Sequence, residues 1–182
     1  MRRRLTATMV FLAVLSGAAC ATMRVSSHVE SGLDFTRYRT FDWGPADALP
    51  TGDPRLDANP FFQDRVQGAI EKQMAAKGFA RAEVSAEPDL RIHYHATIDR
   101  RIDVAAADRR QGYCTAGDCR SGVFEYEAGT LVIDIVDRRA NKVVWRGWAQ
   151  DSVEGVLGNE DRLARRIDDA VTRMFQRLPL PR

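Results

Sequence analysis

Two runs of alternating side chains, GTLVIDIVD at 129–137 and KVVWRGWAQ at 142–150, flank the tetrapeptide RRAN. This pattern commits the region to an antiparallel hairpin. Asn141 belongs in the turn because a short polar side chain tolerates left-handed backbone angles. One register sets apolar residues and opposite charges side by side. It pairs Val136 with Val144, Ile135 with Trp145, Asp134 with Arg146 and Val132 with Trp148. Trp145, central in the hairpin, is then expected to be buried against a helix stripe.

The remaining elements follow from periodicity. PDLRIHYHATID (88–99) puts Leu90, Ile92, Tyr94 and Ala96 on one face and Arg91, His93, His95 and Thr97 on the other, the signature of a strand with one buried face. Residues 24–30 alternate like an edge strand. An aromatic-rich stretch enters another strand at 38–43. A Pro-, Gly- and Asp-dense segment, 44–60, reads as a loop. Asn59 and Pro60 then cap and open a helix. Its stripe is Phe62, Val66, Ala69, Ile70 and Met74, and Gly78 ends it. A second helix runs from 159 to 178, with Leu163, Ile167, Val171 and Leu178 on its stripe and Pro179 after it. Residues 100–122 read as a long polar connection. The predicted fold class is α+β: an antiparallel sheet of four to five strands with two helices packed on one face, forming a single domain over 24–182.

The amino terminus has a different character. Arg2, Arg3 and Arg4 precede an apolar run, Met9 to Leu15. Its length suits a signal peptide and is too short to span a bilayer. Small residues, Ser16 to Ala19, lead to Cys20. This is similar to a bacterial lipobox, although Gly17 stands where a Leu is usual. The expectation is a signal peptide over 1–19, lipidation of Cys20 (the palmitate-bearing anchor) and a tether over 20–23. Ordinary signal cleavage, leaving a soluble periplasmic protein, is the alternative. Ala21 after the cysteine, by resemblance to Gram-negative sorting, implies the periplasmic face of the outer membrane.

Charge narrows the partners. The whole chain carries +2, but without its first nineteen residues 24 basic side chains face 25 acidic ones. A near-neutral mature chain lacks the electrostatic footprint of a nucleic-acid binder. The membrane, through the anchor, and an envelope protein are the expected partners.

Few residues invite catalysis. His93 and His95 project from one strand face, where they chelate zinc if a third ligand approaches. His28, Asp99 and Asp103 are candidate third ligands, and two solvent-facing histidines are the simpler reading. Cys114 and Cys119 bracket TAGD in a chain expected to be exported, where a disulfide forms; free thiols or a metal pair are the alternatives. No serine sits in a nucleophile elbow and no glycine pattern cradles phosphate. Asp168 and Asp169 are adjacent on a helix and do not face one another. No cofactor is expected.

DFTRYRTFDW (34–43), PDLRIHYH (88–95) and GTLVIDIVD with VVWRGWA (129–149) together resemble a bacterial lipoprotein family of unknown function, the domain-of-unknown-function family 4136. The resemblance covers nearly the whole mature chain. It implies an envelope lipoprotein with helices on one sheet, and implies no reaction. The functional expectation is a non-enzymatic, lipid-anchored envelope protein that binds or scaffolds another protein. The alternative is a metal-dependent hydrolase or small-ligand binder using His93 and His95; an apolar-ligand carrier is a third reading.

Overall fold

The computed structural model describes residues 23–44, 53–102 and 125–180. Six strands form one sheet: β1 (Arg24–Val29), β2 (Thr40–Trp43), β3 (Ala80–Arg81), β4 (Leu90–Ile102), β5 (Glu125–Asp137) and β6 (Lys142–Ser152). Their order is β1-β6-β5-β4-β2-β3. The helices are α1 (Pro54–Asp57), α2 (Pro60–Ala76) and α3 (Glu160–Phe175), and a 3-10 turn spans Phe35–Arg37.

The α+β class is as expected, but the sheet is not the antiparallel one of four to five strands. It has six strands and is mixed, because β2 lies parallel to both β4 and β3. The chain leaves β2, crosses through α2 and returns beside it, which is the geometry parallel pairing requires. β2 and β3 are four and two residues long, too short to carry a readable period. The helix α1 lies inside the segment expected to be a loop. Its signal is local: Asp53 accepts a hydrogen bond from the Arg55 amide at 2.8 Å, with Pro54 in the first turn. β4 and β5 extend to Ile102 and back from Glu125, so the long connection begins three residues later than its polarity suggests.

Within the β5–β6 hairpin, Ile135 opposes Trp145, Asp134 opposes Arg146 and Val132 opposes Trp148, as predicted. The expected Val136–Val144 pair does not form. Val136 opposes Val143, and a bulge shifts the register between Ile135 and Val136. Val144 is the extra residue. A bulge lets two consecutive side chains reach the same side, and both Val144 and Trp145 are buried.

All three described helices lie on one side of the sheet. Asn59 and Asn159 cap α2 and α3 through their side-chain oxygens, at 3.2 and 2.9 Å from the amides three residues on. The two helices run side by side in the same direction, tied by Gln73 to Thr172 at 3.0 Å and by the Arg65–Asp168 ion pair. Their stripes meet Leu90, Ile92 and Tyr94 of β4 and Ile133 and Ile135 of β5 in one core. Trp145 is fully buried, its ring 5.0 Å from that of Phe175 on α3. It lies across Gly147, where an added Cβ would overlap the six-membered ring of the indole.

Two stability predictions follow. Trp145→Ala should cost about 3–5 kcal/mol, the range for truncating a buried large aromatic. Gly147→Ala should cost about 1–3 kcal/mol by overpacking, although it deletes no group. Denaturant melts of the variants check both; an unshifted midpoint for Gly147→Ala would mean the indole moves aside freely.

Candidate functional site

The helices cover only one face of the sheet, so period-two alternation sends every second side chain of the central strands to the other. No described element packs on that second face. Across it the register aligns His28, Arg146, Asp134 and His93 in one row through β1, β6, β5 and β4. The next row is Ser26, Trp148, Val132 and His95, and the one after is Arg24, Gln150, Thr130 and Thr97. On the other side of the charged row lie Val143, Val136, Arg91 and Asp42. Trp148, Val132, Val136 and Val143 are half-buried, while His28, Arg91, Arg146 and His95 are exposed.

Asp134 is the anchor of this surface. It is only 6% exposed, although no helix covers it. Arg146 shields it with a bidentate bridge, Nε to Oδ1 and Nη2 to Oδ2, both at 2.6 Å. This fork geometry is the strong form of a carboxylate pair. The hydrogen bond to Asp134 raises the Arg146 pKa further, so the guanidinium stays charged. Both signs of charge share this face: Arg24, Arg91 and Arg146 stand against Asp134, Asp99 and Asp42, and Asp42 also pairs with Arg81 at 3.4 Å.

The two histidines do share this face, as the spacing predicts, but among the described residues no third ligand converges on them. The His93 ring packs against the backbone of Gly44, where a Cβ would overlap it, and the Gly44 amide is held by the Ile92 carbonyl at 2.9 Å. His28 is three strands from His93, about 14 Å at the usual strand spacing. Asp99 is farther out along β4 and receives the Thr97 hydroxyl at 3.3 Å. Among the described residues no group of three His, Cys, Asp or Glu is placed to hold a metal. Cys20, Asp103, Cys114 and Cys119 lie outside the described residues. Asp168 and Asp169 are each engaged by an arginine, Arg65 and Arg173.

A second polar cluster, unforeseen in the sequence, organises one rim of the sheet. The Tyr38 hydroxyl donates to Asp137 Oδ2 at 2.8 Å, and Asp137 Oδ1 accepts the amides of Arg139 and Ala140 at 2.8 and 3.0 Å. Asp89 Oδ2 accepts the amides of Arg39 and Thr40 at 2.8 and 3.1 Å. Burial and the Asp137 carboxylate push the Tyr38 hydroxyl up to about 12, so it remains a donor. Burial alone would raise the Asp137 carboxyl, but the Ala140 amide, the Tyr38 hydroxyl and the Arg139 amide outweigh it and hold it below the usual range. Asp89 is lowered in the same way by the Arg39 and Thr40 amides against its burial. These groups pin turns and are fully engaged; they are framework.

Two expectations test this geometry. A carboxyl lowered in the folded state adds stability above its unfolded value, near 4, and loses it as pH falls through the folded one. The protein should therefore lose stability steeply below about pH 4, and Tyr38→Phe should flatten that loss. Acid titration of the denaturant midpoint measures it. Arg146→Ala, which strips the cover from Asp134, should cost about 1–2 kcal/mol, moderated by the exposure of the guanidinium. The double variant Arg146→Ala with Asp134→Asn should recover part of this cost.

Residues 25–180 match the family described as a domain of unknown function (DUF4136). The fold is similar to a crystal structure of a DUF4136 family protein from Bacteroides thetaiotaomicron. That protein is 16% identical, with 87% of this chain and 97% of that one covered and a TM-score of 0.55. A PDZ domain protein from Parabacteroides distasonis is 19% identical over 86% of this chain, with a TM-score of 0.52; the chain spans 36% of its length. A PelC dodecamer from Paraburkholderia phytofirmans is 9% identical, with 88% of this chain and 100% of that one covered and a TM-score of 0.51. At these identities the likeness is one of fold. No curated protein matches the sequence.

Proposed function

The chain belongs to the DUF4136 family, a domain of unknown function, and on that premise we propose that it is a lipid-anchored envelope protein acting as a binding module, with the open face of the sheet as its recognition surface. The observation that carries this reading is the bare face itself. A six-stranded sheet normally gains by covering both faces when both are apolar. Here one face is covered by no described element and bears a tryptophan, three valines, arginines and histidines. Trp and Arg are the residues enriched at interface hot spots. The interspersed arginines and aspartates favour a partner protein whose charges complement this pattern.

The anchor reading rests on the arginine-led apolar run, the small residues before Cys20 and the short tether that follows. Among the described residues no helix is long and apolar enough to cross a membrane; in this reading the modified cysteine makes the attachment. With Ala21 after it, the protein faces the periplasm from the outer membrane. The module is non-enzymatic in this reading, and its partner is another envelope protein.

Two measurements test the two halves separately. Cys20→Ala should abolish incorporation of a palmitate analogue; undiminished labelling would sink the anchor. In cells, Trp148→Ala combined with Arg146→Glu should lower crosslinking to the envelope partner at least tenfold, the scale of a central hot spot. A parallel substitution on the far rim, such as Arg138→Ala, should leave it unchanged. Equal yields from the open-face and rim variants would remove the sheet face from the interface.

A further inference from the structure

On the helix side, an apolar cleft of about 80 Å³ opens between α3 and the ends of β4, β5 and β6. Met23, Leu131, Val156, Leu163, Ile167 and Ala170 line it. The charged groups at its wall are Asp151 and Arg166, which neutralise one another at 2.7 Å. That volume has room for roughly five to eight water-sized groups, yet the wall offers them almost nothing to bond. A hydrocarbon fits such a space; a polar ligand does not.

The position of Met23 identifies the hydrocarbon. It is 6% exposed and forms part of the wall. Its carbonyl accepts a hydrogen bond from Arg173 Nη2 at 3.2 Å, which clamps the start of the domain beside the cleft. Cys20 precedes it by three residues, so the two Cα atoms can be no more than about 11 Å apart along even a fully extended chain. We propose that one acyl chain of the Cys20 anchor folds back into this cleft. The inference rests on the lipidation of Cys20 proposed above. Two acyl chains hold a protein stably on a membrane. A mature anchor with a diacylglyceryl thioether and an acylated amino terminus carries three, so one is free to seat in the protein. The seated chain locks the orientation of the domain to the bilayer and leaves the open sheet face directed away from the tether.

The test uses the full-length protein in cells fed a palmitate analogue bearing a diazirine. After irradiation and purification, digestion maps the adducts. The expected result is label on Cys20 joined within the same molecule to peptides holding Leu131, Val156 or Ile167. Ala170→Phe, which fills the cleft, should cut the yield of that adduct at least fivefold. Label on Cys20 with adducts only to phospholipid, or to a second protein, overturns the seated chain and leaves the anchor intact. Absence of label on Cys20 overturns both.

Discussion

A sheet with helices on one side only must keep its two faces chemically distinct, and Trp145 is where that distinction is enforced. The indole lies flat over Gly147 and against Phe175 of α3. The absent side chain at 147 gives the ring its seat, and the ring gives the helix its contact. The bulge at Val144 turns two successive apolar residues of β6 inward just before this point. Downstream of it the alternation is strict: Arg146 and Trp148 point away from the helices, Gly147 and Ala149 towards them. A one-residue slip would carry the indole into water and Arg146 into the core. The register of the hairpin and the docking of α3 are therefore one constraint.

The open face depends on that register in turn. Asp134 sits between two strands with no described layer above it, and the fork of Arg146 makes its burial tolerable. The same row ends in His93, seated on the backbone of Gly44. Of the histidine pair that reads as half a metal site in the sequence, His93 belongs to this cross-strand polar row and His95 to the next, beside Val132. The rim formed by Tyr38, Asp137 and Asp89 serves a different purpose, fastening the 3-10 turn and the β5–β6 turn to the sheet. Its two carboxylates are engaged by backbone amides and hydroxyls, which suits a framework role.

Elements that bury one face of a long run were legible before the structure. β4, the β5–β6 hairpin, α2 and α3 each repeat their period often enough to be unmistakable, and three of the four predicted hairpin pairs form. The short elements were legible only in part. The aromatic stretch at 38–43 does hold β2, but its parallel placement, and the two-residue β3, follow from the neighbouring strands and the α2 crossover, because so short a strand has no period of its own. The bulge was equally hidden, since a run such as KVVWRG alternates acceptably in either register until the turn sets its length. Of the candidate site, the sequence held its residue types and the sharing of one face by His93 and His95. The row that joins His93 to Asp134, Arg146 and His28 requires knowing which strand lies beside which.

What the sequence by itself determined is therefore local: the alternation of the central strands, the caps and stripes of two helices, and the family to which the chain belongs. These rest on periodicity and backbone chemistry within some twenty residues of each other. The tertiary structure alone decided the parallel placement of β2, the choice of which sheet face stays bare, and the meeting of Met23 with α3 and the strand ends at one apolar cleft. Each of these joins residues far apart along the chain. Their proximity is settled by the collective burial of the core, a quantity that no local stretch of sequence carries.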